Sequence, residues 1–149
     1  MNPSPLLARF FLITSLLTGL YVTNAQAEDK RIAIWLSDAQ RATVLAEMRQ
    51  FLIASQAILE NALNENMDRV EVAAREVGLK QLQGMSAELT AKLPPGFKAL
   101  GPQVHKEFEE IANEAATLGD RDEILNRLAK LQNLCIQCHA VYRLEREKP

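Results

Sequence analysis

The 149-residue sequence lacks most of the features from which a function is usually read. It has no phosphate-binding loop and no nucleophile with a paired base, which speaks against an enzyme. Basic residues form no cluster, and the formal net charge is −2. A balance this mild argues against nucleic acid as a partner. No repeat, no long low-complexity segment and no strand alternation is visible. With two cysteines a disulfide framework is not available. The one long apolar run, Phe10 to Val22, has 13 residues and is too short to span a bilayer comfortably.

That run fits a different purpose. Arg9 closes a weakly basic region before it, and Ala25-Gln26-Ala27 offers small residues for cleavage ahead of Glu28. Residues 1–27 therefore read as a secretory signal peptide, and 28–149 as one exported domain with no membrane span after processing. Loss of the leader removes Arg9 and no acid, so 16 basic residues face 19 acidic ones and the net charge becomes about −3. The remaining 122 residues are enough for one hydrophobic core.

The most informative stretch is Cys135-Ile136-Gln137-Cys138-His139, near the C-terminus. Two thiols and an imidazole in the order C-x-x-C-H read as a c-type haem attachment site, with the sulfurs bonded to the porphyrin vinyls and the histidine on iron. On a helix, Cys138 and His139 lie three and four residues after Cys135, so all three project from one face. Other readings compete. A thioredoxin-like pair needs a strand before it and a βαβ pattern, and none is visible. A zinc site needs four ligands, and the chain offers Cys135, Cys138, His139 and His105, two of them adjacent on a helix. A disulfide across so short a loop gains little chain entropy.

The mature chain reads as helices throughout. After the apolar lead Ile32 to Leu36, the run Ser37-Asp38-Ala39-Gln40 has the form of a capping box. Val44/Leu45, Met48, Phe51/Leu52, Ile58/Leu59 and Leu63 then recur at helical spacing, predicting helix one over 38–63. Trp35 and its neighbours are expected to fold back on the bundle or to form a dimer contact. A second helix starts near Met67, buries Val70, Ala73/Ala74 and Val77, and ends or kinks at Gly78. Residues 79–93 read as its broken continuation, followed by a connection over 94–101. Pro102 suits the first position of helix three, whose stripe is Val104, Phe108, Ile111/Ala112 and Leu118. Gly119 closes that helix, and Asp120 to Glu123 form a second capping box. Helix four turns Ile124/Leu125, Leu128, Leu131, Leu134/Cys135, Cys138 and Val141/Tyr142 inward, and the charged tail from Glu145 to Lys148 frays. Four helices with short connections predict an all-α, antiparallel up-and-down four-helix bundle.

This layout, with C-x-x-C-H-x-x-Y-R near the C-terminus, resembles the class II c-type cytochromes, the cytochrome c-prime family. The resemblance covers the mature chain in outline, and its specific part is Cys135, Cys138, His139, Tyr142 and Arg143. It implies one covalent haem c held by both cysteines, His139 as proximal ligand, and Arg143 beside the haem. Arg41 looks like the family's helix-one arginine near a propionate. The resemblance further implies a periplasmic protein that passes electrons to redox partner proteins or binds nitric oxide or carbon monoxide. A homodimer through helices one and two is common in the family.

The distal side of the iron decides between those activities. In the family the distal residue stands four after the helix-one arginine, here Leu45, which cannot ligate and would leave an open site. Met48, three residues further on, would give a six-coordinate His/Met haem suited to electron transfer. At 1.5 Å per residue, His139 and Leu45 both lie about 27 Å, and Met48 about 22 Å, from the shared end of an up-and-down bundle, so level alone does not choose. His105, about 20 Å from the same end, is a third candidate, expected to be half-exposed. Met67 and Met85 read as packing residues. A haem-free interaction or metal-binding module is the reading from another class.

Overall fold

The computed structural model describes residues 28–148, so the signal-peptide reading of 1–27 lies outside the described residues. The chain is mostly helical, with one small parallel strand pair. In order the elements are β1 (Ile32–Leu36), α1 (Asp38–Leu63), α2 (Met67–Glu76), a 3-10 turn (Gln81–Gly84), α3 (Ala87–Lys92), α4 (Pro95–Thr117), α5 (Arg121–Val141) and β2 (Tyr142–Arg146). Among the described residues no helix is long and apolar enough to cross a membrane.

Helix α1 has the expected bounds, and its start is a true capping box. The Gln40 amide donates to Ser37 Oγ at 3.3 Å, and the Ser37 amide donates to Gln40 Oε1 at 3.1 Å. Its buried line is Val44, Phe51, Ala54, Ile58 and Ala62, while Leu52, Leu59 and Leu63 stay exposed. The apolar stripe on α1 is thus wider than the face the core covers. Asn66 caps α2 by accepting from the Arg69 amide at 3.3 Å, and Val70 and Ala74 face inward. At Gly78 any Cβ would collide with the Glu109 carboxylate, which receives the Leu79 amide at 3.2 Å and Arg75 at 2.6 Å. The segment after it is broken as expected, into the 3-10 turn and the short α3 capped by Ser86.

Three expectations are corrected. Helix α4 begins at Pro95, not Pro102, which sits inside it. Pro95 supplies the fixed φ and the missing donor that a first helical position tolerates. Pro102 forfeits its bond to the Lys98 carbonyl, but both residues are exposed, so water can serve that carbonyl. The second correction concerns the ends, because residues 32–36 and 142–146 form strands. They pair in parallel from Ile32 opposite Tyr142 to Leu36 opposite Arg146. The lead is five residues of mostly β-branched and aromatic type, too short for a helix. The tail does not fray: Arg146 meets Asp38 at 3.1 Å, Lys92 meets Glu147 at 2.9 Å, and the Glu147 amide donates to the Leu36 carbonyl. The third is smaller. Asp120 caps α5 through the amides of Asp122 and Glu123, but the Glu123 carboxylate binds Arg127 at 2.9 Å instead of completing a box.

Helices α1, α2, α4 and α5 close round a core of Phe51, Ile58, Val70, Phe108, Ile111, Ile124, Leu128 and Leu131, with alanines between them. Contacts are extensive from α1 to α2, α2 to α4 and α4 to α5, and sparser between α1 and α5. A second cluster, Ile34, Leu36, Val44, Leu89 and Leu93, joins the strands to α1 and α3. Met48 packs against both clusters. Trp35 is left 49% exposed on the outer side of β1.

Candidate functional site

Cys135, Cys138 and His139 all lie within α5, which runs unbroken to Val141. At 100° per residue the two cysteines fall within about 50° of the line made by Ile124, Leu128 and Leu131, so they continue the inward face of the helix. Cover over that face gives out at this end. Leu131 is buried, Leu134, Cys135 and Cys138 are half-buried, and His139 is exposed. Both thiols are free, and burial raises the pKa of each; for Cys138 the neighbouring Cys135 adds to it. They are therefore neutral thiols near pH 7. Arg31 Nη1 donates to the His139 carbonyl at 3.2 Å, while the His139 ring has no hydrogen-bond partner among the described residues.

A second set of candidate residues lies on α1. Arg41, Leu45, Met48 and Leu52 fall within about 60° of one another around that helix, on the flank turned away from α2. Leu45 and Met48 are half-buried, and Leu52 is 72% exposed. Among the described residues Arg41 Nε is buried without a hydrogen-bond partner. A buried guanidinium donor in that state calls for an acceptor, and an anionic one answers best.

The remaining predicted residues are tied into the fold. Tyr142 opens β2 and packs edge-on against Phe97 at 5.8 Å, with its hydroxyl where a Cβ on Gly96 would stand. Arg143 lies in the strand ladder opposite Ala33, with Nε 3.6 Å from Glu145. His105 is not half-exposed but 2% exposed. Its Nδ1 is 2.9 Å from the Val77 carbonyl and its Nε2 3.5 Å from Glu47 Oε1, so neither nitrogen is spare for iron or zinc. Sequence reasoning missed Glu47 as its partner. A carboxylate on the inward side of α1 was the available signal, hidden because a lone glutamate in a helix is normally solvated.

Burial pulls the pKa of His105 down, but the Glu47 carboxylate and the Val77 carbonyl outweigh it, and the net shift is upward from 6.5. The reason is geometric. A carbonyl can only accept, so Nδ1 carries the proton, and in the neutral ring the Nε2 lone pair would face a carboxylate.

These features suit a haem. Two thiols and an imidazole share one inward but thinly covered helix face, an apolar flank with a thioether lies on α1, and Arg41 has an unmet donor for a propionate. An open groove between Ile53 and Ala57 of α1 and Val72 and Val77 touches none of the candidate residues. The chain matches no known family model, curated protein or solved structure.

Proposed function

We propose that this chain is a periplasmic mono-haem c-type cytochrome of the cytochrome c-prime type, in which α1, α2, α4 and α5 make an antiparallel up-and-down four-helix bundle. The observation that carries the reading is the C-x-x-C-H set on the inward face of α5, just where cover over that face runs out. In this reading Cys135 and Cys138 hold haem c through thioether bonds, and His139 is the proximal ligand. Arg41 takes a propionate, Arg143 and Tyr142 border the proximal side, and Leu45 lines the distal side. Met48 is the sixth ligand: it sits where the two core clusters meet, on the stripe facing away from α2. The bound group supplies one-electron redox chemistry at iron. The chain would hold Met48 at the half-buried edge of its core and His139 at the thinly covered end of α5, leaving the motif end near the surface, which suits an electron carrier for redox partner proteins and not an enzyme.

A second reading, gas binding, has its own support. Leu45 is half-buried yet belongs to neither core cluster, so its apolar surface is spare for lining an open distal pocket for nitric oxide or carbon monoxide. The test is an absorption spectrum of protein exported from a host that attaches c-type haem, taken oxidised, reduced, and reduced under carbon monoxide. A low-spin spectrum with the weak far-red methionine band, indifferent to carbon monoxide, supports the carrier. A high-spin spectrum that shifts with the gas supports Leu45 over an open site, and a colourless protein removes both in favour of a haem-free module.

A further inference from the structure

The haem reading leaves one buried group without a task, His105. From α4 it reaches two other helices: Nδ1–H donates to the Val77 carbonyl at the end of α2, and Nε2 faces Glu47 of α1 at 3.5 Å. Its ring also meets Phe51 of α1 edge-on, with centroids 5.0 Å apart. Glu47 and Phe51 are four residues apart, so His105 grips one side of α1 across a full turn.

That grip bears on the distal ligand, because Met48 directly follows Glu47. Around α1, Met48 lies about 60° from Leu45 and about 4.5 Å along the axis, less than one turn, so rotation of the helix, with the reach of the side chain covering the axial offset, decides which is presented. Measured from Phe51, Met48 stands about 60° away and Leu45 about 120°. With Phe51 and Glu47 held toward α4, Met48 is the one nearer the interior. The packing agrees, since Met48 touches both core clusters and Leu45 neither.

We propose that His105, by holding Glu47 and Phe51, fixes the rotation of α1 that presents Met48 rather than Leu45 to the distal side of the haem. His105 is then a positioning residue for the sixth ligand. This rests on the cytochrome reading and adds to it a reason for the choice of ligand.

The experiment compares haem-loaded wild type with His105→Leu and Glu47→Gln by far-red absorption and carbon monoxide difference spectra. Amide exchange over residues 44–52 is followed in the haem-free forms. Wild type is expected to be low-spin and unmoved by the gas. His105→Leu is expected to keep its covalent haem while its high-spin, gas-reactive fraction rises about tenfold, the scale set by losing a hydrogen bond to a charged group. Its α1 amides exchange faster. Glu47→Gln, which keeps the shape and removes the charge, shifts the same way by less, and decides the matter if His105→Leu does not fold. A high-spin, gas-reactive fraction in the folded variants no larger than that of wild type overturns the proposal alone. So does a high-spin wild type, which leaves the haem reading standing. A colourless wild type removes the haem reading and the proposal together.

Discussion

At the scale of single residues, the two thiols and Arg41 make opposite demands on the protein. Neutral, half-buried Cys135 and Cys138 add little to packing, so replacing both with alanine should leave the helical circular dichroism signal intact. The same variant, exported from a haem-attaching host, should be colourless; retained covalent haem would sink the assignment of the motif. Arg41 is more diagnostic. Its unmet buried donor costs about 1–3 kcal/mol without haem, so Arg41→Leu should raise the urea midpoint of the haem-free protein and lower that of the loaded one. A change of the same sign in both forms would remove the propionate role. His105 carries a pH signature. Its folded pKa is raised above the unfolded 6.5, so the stabilisation is fully present below that value and fades as pH rises through the folded pKa. Wild-type stability should therefore fall on going from pH 6 to alkaline conditions more than that of His105→Gln, as urea titrations along a pH series would show.

What sequence reasoning placed as the structure has it is local: the motif residues on a helix, and the cap that opens α1. The motif thiols and imidazole need only each other and a helix, and Ser37 and Gln40 complete their box within four positions. His105 was legible as a histidine at the motif end of helix three but not as a buried one. Its partners Glu47 and Val77 come from other helices, and no periodicity in its own helix announces them.

Among the elements, the long helices were readable because caps and stripes agree, whereas Pro102 misled. A proline reads most simply as a start, and here Pro95 had already supplied one. The interior position predicts that Pro102→Ala stabilises the protein by about 1 kcal/mol, since helix propensity favours alanine by more than the entropy it returns to the unfolded chain. An unchanged or lower thermal midpoint would mean that the proline fits α4 without loss. The Asp120 cap predicts the reverse: Asp120→Ala should cost about 1 kcal/mol, read as a lowered midpoint, because the amides of Asp122 and Glu123 lose their acceptor. The strands escaped notice for the opposite reason from Pro102. Neither has a long alternating pattern, and each finds its pairing partner more than a hundred residues away.

For the molecule as a whole, the second cluster is where that distant pairing does its packing. Leu36 is fully buried on β1 among Ile34, Val44, Leu89 and Leu93. Leu36→Ala should therefore cost about 2–5 kcal/mol, as much as a substitution in the larger core, although the residue lies in a short strand at one end of the chain. A loss below 1 kcal/mol in denaturant titration would show that the strand pair is dispensable to the fold.

The same pairing decides how the protein answers a pull on its ends. Because β1 and β2 are parallel, tension arrives at Ile32 on one strand and at Arg146 on the other, at opposite ends of the ladder. The interstrand bonds are then loaded together in shear instead of being unzipped one at a time. Among the described residues every helix, the one bearing the C-x-x-C-H motif included, lies in the stretch of chain between the two strands. A force applied at Ile32 and Arg146 should reach none of them until the ladder has given way.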